Sequence, residues 1–514
     1  MATFYIEAIE DTIIALSKVG NPVVGDASYG INNTSTPTSY IYGNDIVLLA
    51  GQKCYWAITN TRDEFSTSNY LNFTSTGKIN IGGNLNDLIG GEIAISKIRM
   101  YCFYKLFYNC TTLVNASNLT MLVNTYYYCY GSMFEGCTSL THAPAIQSQT
   151  LDSYSCHSMF KGCTSLISVP DIRASVLGLG SCELMFYNCT SLVTAPEILA
   201  TSVSSSYDTH FCAGMFQGCT SLVIPPSKLS INPLKLYCYQ YMFDGCTSLE
   251  SAPELPATEL AYGCYNRMFF RCNSLKKAPQ LPATTLTENC YLDMFYACTS
   301  LEVAPELPAT ILAKNCYRDM FCLCSSLVKL PQLPATDLSY ELCYSEMFGS
   351  CSNIGINNIK TQQYQIPYRI PSSGTGTTIT DALKDMFNGT EGYFKYGGVD
   401  PEINTTYYVT APVLIRYKNN VITGLDNGNI TLNCKDTKMT DNLIISVDGR
   451  YGKRAKVKYD GRELFTITNG NKTLNCKNTK MVDDILIEVE DVNLILNNIT
   501  LPTSIESINF NYYE

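Results

Sequence analysis

The chain has 514 residues, of which 46% are hydrophobic and only 16% charged, with a net charge of −10. That apolar fraction is enough for folded cores, while the acidic balance excludes the basic patches on which non-specific nucleic-acid binding depends. No stretch approaches the roughly 20 apolar residues of a membrane-spanning helix, and the length predicts three or more domains.

Residues 1–97 start at once on a strand-like pattern. Met1 to Asp11 carries no basic segment, apolar segment or lipidation signal, which predicts synthesis and folding in a cytoplasm. Phe4 to Lys18, Ile41 to Leu49 and Cys54 to Thr59 read as strands separated by turn residues. The expectation is a small β-sandwich-like domain with Trp56, the single tryptophan, in its core. The run from Gly77 to Leu85 leads into the next region and is placed to cap it. The pairs Gly82-Gly83 and Gly90-Gly91 read as turns.

Residues 98–355 are periodic. Met-Phe recurs at Met133, Met159, Met185, Met215, Met242, Met268, Met294, Met320 and Met347, after a variant copy at Leu106-Phe107, in steps mostly of 26 or 27 residues. One cysteine lies four residues after each copy, from Cys110 to Cys351, and another three or four before it, from Cys102 to Cys343. Placed on a helix, positions i, i+4 and i+8 fall within one arc, so Cys, Met and Cys predict a buried stripe. The following Leu-x-x-Ala-Pro-x-Leu-Pro is too rich in proline for a helix and suits a short strand. The predicted fold class is therefore α+β: about ten helix/strand units stacked as a solenoid, flanked by small all-β domains. On such a helix, cysteines eight apart lie about 12 Å from each other, beyond the roughly 7 Å a disulfide spans. Closely spaced zinc-type pairs do not occur in this frame, and the repeat cysteines read as small buried hydrophobes. Cys322 is an extra thiol at a variable position.

The string Phe-x-x-Cys-x-Ser-Leu, followed by Leu-Pro, resembles the BspA-like (Treponema pallidum-type) leucine-rich repeat over residues 98–355, about half of the chain. Here Met replaces the Ala before Phe, Ala-Pro replaces the strand's Ile, and the period is longer. The resemblance implies a leucine-rich-repeat solenoid and leaves the ligand open.

Residues 356–420 are expected to hold a connector and a degenerate terminal repeat. Ser372 to Thr377 reads as a flexible loop. Ala382 to Thr390 revives the Met-Phe pattern at Met386-Phe387 with Ala382 and Thr390 where cysteines would stand, as befits a cap. In 421–514, Asn427 to Lys435 matches Asn469 to Lys477 at an offset of 42. The two copies continue into strands at 443–447 and 485–489, which predicts two small β modules. These resemble modules of fibre and adhesin proteins from phages and prophages of gut Bacteroidales. A last strand is expected in the tail from Ile508.

Chemistry-bearing residues are few. His142, His157 and His210 occupy three phases of the repeat and imply no shared pocket; Cys156-His157 are neighbours that would not face each other on a helix. Glu197, Glu254 and Glu306 share the position after Ala-Pro, with Gln280 and Gln332 alternating. They form a candidate binding strip, read as a solvated polar edge, a carbohydrate-contacting surface or, least of all, the paired carboxylates of a glycosidase. Tyrosine recurs beside the first cysteine, at Tyr239, Tyr265, Tyr291, Tyr317 and Tyr344, which predicts packing between repeats, with the exposed remainder open to protein partners. No cofactor, catalytic residue or metal site is assigned. The leading expectation is a non-enzymatic structural or binding protein of a phage particle, as a fibre, tail-associated or head-decorating component. Its expected partners are other virion proteins and a host surface protein or polysaccharide, without nucleic acid or membrane insertion, and homo-oligomerisation stays open. The alternatives are a BspA-like adhesin on a bacterial surface and a glycan-acting enzyme.

Overall fold

The structure is a computed structural model. It describes residues 3–20, 22, 25–33, 35–58, 65–89, 100–204, 209–361 and 363–410, and within 411–514 the strands named below with short adjoining segments. Two compact units are present, Met1–Val409 and Thr410–Glu514. The chain is mostly strand, turn and coil in several small sheets; among the described residues the one α-helix is α1 (Leu85–Leu88). The Gly90-Gly91 pair lies outside the described residues.

The first unit opens with β1 (Tyr5–Ala8), β2 (Thr12–Val19), β3 (Ala27–Ile31), β4 (Thr38–Tyr40), β5 (Ile46–Leu48), β6 (Lys53–Ile58), β7 (Tyr70–Ser75) and β8 (Ile79–Asn84). Two sheets result. One has the order β4-β3-β6-β1-β8-β9, where β9 is Leu113–Thr120, and the other β5-β2-β7. Alternation decides which side chains go inside: Cys54, Trp56 and Ile58 of β6 are buried while their neighbours are half-buried. Trp56 is fully buried, edge-on to Tyr40 at 4.8 Å and Phe73 at 5.1 Å. Strand β8 pairs in parallel with β9, which belongs to the first repeat, and Phe73 stacks on Phe107 at 5.4 Å. The change of pattern near residue 97 is therefore not a break in packing.

The repeats correct the helix expectation. In an α-helix each N–H donates four residues back. Here the N–H groups of Cys129, Gly131, Met133, Glu135 and Cys137 donate three residues back, at 3.0–3.2 Å. The intervening N–H groups of Tyr128, Tyr130, Ser132, Phe134 and Gly136 donate to the next repeat, to carbonyls of Ser153, Ser155, His157, Met159 and Lys161, at 2.8–3.3 Å. Every fourth residue is left-handed, with φ of 52° at Tyr128, 52° at Ser132 and 77° at Gly136. The segment is thus a run of tight turns with a four-residue period. A left-handed residue breaks helix propagation, and half of the backbone donors are spent between repeats instead.

The same geometry explains the Cys-Met-Cys spacing. The two residues after the first and second left-handed ones point inward, as with Cys129-Tyr130 and Met133-Phe134, all fully buried, and after the third only the cysteine does, as with Cys137 following Gly136. Where the first gap is three, cysteine has moved to the second inward position and the first is taken by Ser155, Ser181 or Phe211, each also fully buried. The buried stripe is present, and a four-residue turn rather than a helix produces it. Phenylalanines of successive repeats stack from Phe107 to Phe387 at 5.3–5.7 Å with ring planes within 11°. Tyr239, Tyr265, Tyr291, Tyr317 and Tyr344 form a second buried ring column at 5.7–5.9 Å.

The predicted strand in each repeat is also reduced. Single-residue parallel bridges such as Ser251↔Lys277↔Val303↔Lys329 stand in its place, because proline supplies no N–H for a ladder. Two-residue strands occur further on: β10 (Thr150–Leu151), β11 (Val176–Leu177) and β12 (Ser202–Val203), paired in parallel in that order.

Strand β13 (Asp337–Leu338) ends the ninth copy, and after the tenth come β14 (Gly355–Asn357), β15 (Tyr364–Arg369), β16 (Thr377–Thr378), β17 (Glu391–Gly392) and β18 (Thr406–Thr410). The degenerate copy closes the column. Tyr344, Glu346, Phe348 and Ser350 donate their N–H groups to carbonyls of Ala382, Lys384, Met386 and Asn388, while Tyr368 and Phe394 pack on Phe387. Residues 372–377 are pinned rather than flexible. Ser372 N donates to Leu333 O, Thr377 N to Thr336 O, and Asn404 exchanges two 2.8 Å hydrogen bonds with the Gly376 backbone.

The second unit has β19 (Val421–Ile422), β20 (Asn429–Asn433), β21 (Leu443–Asp448), β22 (Ala455–Tyr459), β23 (Arg462–Ile467), β24 (Gly470–Leu474), β25 (Ile485–Val489), β26 (Ile495–Thr500) and β27 (Ser507–Asn511). The sheet orders are β19-β26-β21-β24 and β23-β22-β25-β20-β27. The two 42-residue copies do not make separate modules. Strand β20 of the first pairs with β25 of the second, and β21 of the first with β24 of the second, so each sheet mixes strands from both.

Candidate functional site

The residue after the Ala-Pro pair sits three positions beyond the bridges that hold successive repeats in register, so Glu254, Gln280, Glu306 and Gln332 recur in one row. All four are exposed. Glu197 begins the row differently. It is half-buried, and its carboxylate accepts from Ser227 N at 3.0 and 3.1 Å and from Ser227 Oγ at 2.8 Å. Its own N–H donates to Asp171 Oδ1 at 3.1 Å. Asp171 and Ser227, which occupy the same repeat position, therefore extend the row; both follow proline, a signal the sequence already carried. The backbone continues the register, since Glu254 N donates to Ser227 O and Leu229 N to Glu254 O.

The strip presents alternating acceptors and amides one repeat apart. Glycoside hydrolysis needs two carboxylates flanking one bond; here Gln280 separates Glu254 from Glu306, and Glu197 is committed to Ser227. The chemistry on offer is hydrogen bonding to an extended polar partner. The neighbouring row is exposed too, with Ile167 and Val193 followed by the Lys276–Glu250 ion pair at 3.2 Å.

The histidines lie on both sides of the repeat, His142 at a bridge position and His157 and His210 on the turn side. His142 is exposed and 2.8 Å from Thr141 Oγ1. His157 Nδ1 lies 3.5 Å from Glu183 Oε2, too far for a good hydrogen bond, and packs edge-on against Tyr128 and Tyr154. His210 stacks on Tyr237 at 4.9 Å. The three imidazoles are thus held by three different sets of neighbours. Sequence reasoning missed an ionic series built on the left-handed turn positions of Arg267, Asp293 and Asp319. Arg267 Nε donates to the buried Asp293 at 2.8 Å, and Arg318 Nε lies 3.2 Å from Asp319. Burial, reinforced by Glu346 and Asp293 and opposed by Arg318, pushes the Asp319 carboxyl up to about 6.

The described cysteines are free and buried, and among the described residues no group of three or more His, Cys, Asp or Glu side chains is arranged to hold a metal ion. They are more than small hydrophobes. Each second cysteine from Cys137 to Cys351 donates its thiol to the carbonyl of the previous repeat's phenylalanine, at 3.0–3.1 Å, as Cys298 does to Phe269. In the degenerate copy Thr390 Oγ1 donates to Phe387 O at 2.8 Å. Burial pushes the Cys219 and Cys246 thiols up, which keeps them protonated as donors and poor nucleophiles.

Fold and site define a repeat protein held by hydrogen bonds and ring columns between consecutive copies. No protein-family model matches the chain, and neither a curated protein nor a solved structure is similar to it.

Proposed function

We propose that this is a non-enzymatic structural and binding protein whose repeats form a leucine-rich-type solenoid, serving as a spacer that offers the strip from Asp171 to Gln332 to a polysaccharide or protein on a host surface. The observation that carries this reading is the uninterrupted bonding and ring stacking of one repeat on the next. Such an array is quasi-one-dimensional, and a polar side chain placed once per repeat becomes a line of hydrogen-bonding contacts, useful for an extended partner and ill suited to a single reaction centre. The same reading places the chain in a phage particle as a fibre, tail-associated or head-decorating component, supported by its low fraction of charged residues and by the resemblance of the sequence of residues 421–514 to phage-fibre proteins.

Two measurements test it. Mass spectrometry of purified virions from the phage encoding the chain is expected to find it as a stoichiometric component; its absence removes the particle assignment and favours a cell-surface adhesin. Incubating the full chain with host surface polysaccharide is expected to give binding that weakens in a Glu254→Lys, Glu306→Lys variant, without sugar release. Release of reducing ends overturns the non-enzymatic reading.

A further inference from the structure

Four successive repeats alternate in charge on the proline side. Their segments read Glu250-Ser251-Ala-Pro-Glu254, Lys276-Lys277-Ala-Pro-Gln280, Glu302-Val303-Ala-Pro-Glu306 and Val328-Lys329-Leu-Pro-Gln332. The bridges Ser251↔Lys277↔Val303↔Lys329 hold them in line, so acidic and basic stripes succeed one another one repeat apart. Uncharged pairs bound the set, Val223-Ile224 before it and Gly355-Ile356 after it. Beyond the stripes the chain alternates as a strand does. Leu255 and Ala257 are buried while Glu254, Pro256 and Thr258 are exposed, and the next three repeats keep this pattern, with Pro334 alone half-buried. The result is a regular outer face with a row of rigid prolines through its middle.

An even number of alternating stripes is complementary to itself. Two copies laid face to face can share a two-fold axis along the succession of repeats, which sets each stripe on its own counterpart, acid on acid. An axis along the chain direction of these segments instead reverses the order of the repeats. Lys276 then meets Glu302, Glu250 meets the repeat of Lys329, Gln280 meets Glu306 and Glu254 meets Gln332. No stripe faces its own sign, and each carboxylate of the strip faces an amide that can donate to it. Within its own copy Lys276 lies 3.2 Å from Glu250, and Glu302 and Lys329 are engaged as well. Exposed pairs of this kind contribute little, so sharing them across an interface costs little. The size is adequate: nine residues at about 3.3 Å by four repeats at about 4.8 Å give about 500–600 Å² per copy, or about 1,100 Å² in all, just above the roughly 1,000 Å² of a specific interface.

We propose that the proline-side face of residues 250–336 is the interface of a homodimer, in which a second copy of this chain packs with its repeats in reverse order about a two-fold axis along the segments. The association is weak and salt-sensitive, with a dissociation constant on the order of micromolar at low ionic strength, because the interface is small and its charges are screened. It occupies the strip from Glu254 to Gln332 and leaves Asp171, Glu197 and Ser227 to the partner of the proposed function. A host polysaccharide that uses Glu254 and Glu306 competes with the second copy for them. The inference rests on that strip being a contact surface, and not on the host partner or the particle assignment.

The test is sedimentation of the full chain over micromolar concentrations, without polysaccharide. At about 50 mM salt a monomer–dimer equilibrium is expected, and about 500 mM salt is expected to weaken it roughly tenfold or more. Lys276→Glu and Glu302→Lys are each expected to be monomeric alone, because like charges then oppose each other across the two-fold axis. Mixed one to one, the two variants are expected to pair, because both contacts of the mixed dimer join opposite charges. Recovery in the mixture also shows that each variant is folded. An unaltered chain that stays monomeric at every concentration, a dimer indifferent to salt or to either substitution, or no pairing in the mixture would each overturn the proposal. Polysaccharide binding by a chain that stays monomeric keeps the host reading and removes this one, and a dimer that binds no polysaccharide does the reverse.

Discussion

The two sides of each repeat obey different rules. On the turn side every second N–H bonds the next repeat, buried residues follow each left-handed one, and ten copies look nearly alike from Cys102 to Cys351. On the proline-rich side bonding shrinks to isolated bridges, and the exposed residues change from Ile167 and Val193 to Glu250 and Lys276 along the array. Regular structure is kept where backbone donors are spent between copies, and variety is tolerated where proline has removed them. That freedom is why the candidate strip lies on the proline side.

Mutations sharpen the contrast. The largest effect is expected in the ring column: Phe295→Ala deletes a fully buried ring stacked on both Phe269 and Phe321 at 5.5 Å and should cost about 3–5 kcal/mol in a denaturant titration. A loss under 1 kcal/mol would mean that the column is not what holds the repeats.

Next comes the ionic series. The Asp319 carboxyl, raised to about 6, disfavours the folded state increasingly as pH rises from its unfolded value near 4 through 6. Asp319→Asn should therefore leave stability near pH 4 almost unchanged and raise it by about 1–2 kcal/mol at pH 7, after partial solvent screening. Equal effects at both values would break the assignment.

A smaller step distinguishes a thiol donor from a thiol filler. Cys298→Ser keeps a donor toward Phe269 O, now 3.1 Å from the thiol, whereas Cys298→Ala removes it, so Ala should be the less stable by about 1 kcal/mol. The reverse order would restore the purely hydrophobic role. On the proline side Lys276→Ala, which breaks an ion pair with both side chains more than half exposed, should change stability by less than about 0.5 kcal/mol.

Several of these features were legible in the residues. The spacing of Met-Phe and of the two cysteines located the repeats and their buried stripe, and the copy at Met386-Phe387 was recognisable as a cap although its cysteines are absent. The turn was legible as well. Gly136, Gly162, Gly218 and Gly245 each precede the second cysteine, and Asn109 and Asn188 do so elsewhere. Residues that accept positive φ, at a fixed place in six of the ten repeats, mark a left-handed turn, which Arg271, Ala297, Leu323 and Ser350 adopt in the other four. A four-residue spacing fits a helix and a four-residue turn equally well when only the apolar positions are counted. The strip is legible through the Ala-Pro pair that precedes most of its members, whereas Asp171 follows Val-Pro and Ser227 follows Pro-Pro, so that motif does not reach them.

By itself, the sequence determined where each copy begins, which side chains must leave water, and that no copy could bury them alone, because apolar spacing is a local property of the chain. Only the tertiary structure decided whether a backbone donor looks back three residues or across to the next repeat. Those two choices satisfy the same N–H groups, and the difference between them lies in partners about 26 residues away. The same holds for the exchange of strands between the 42-residue copies: pairing is a relation between distant segments, and spacing along one of them does not contain it.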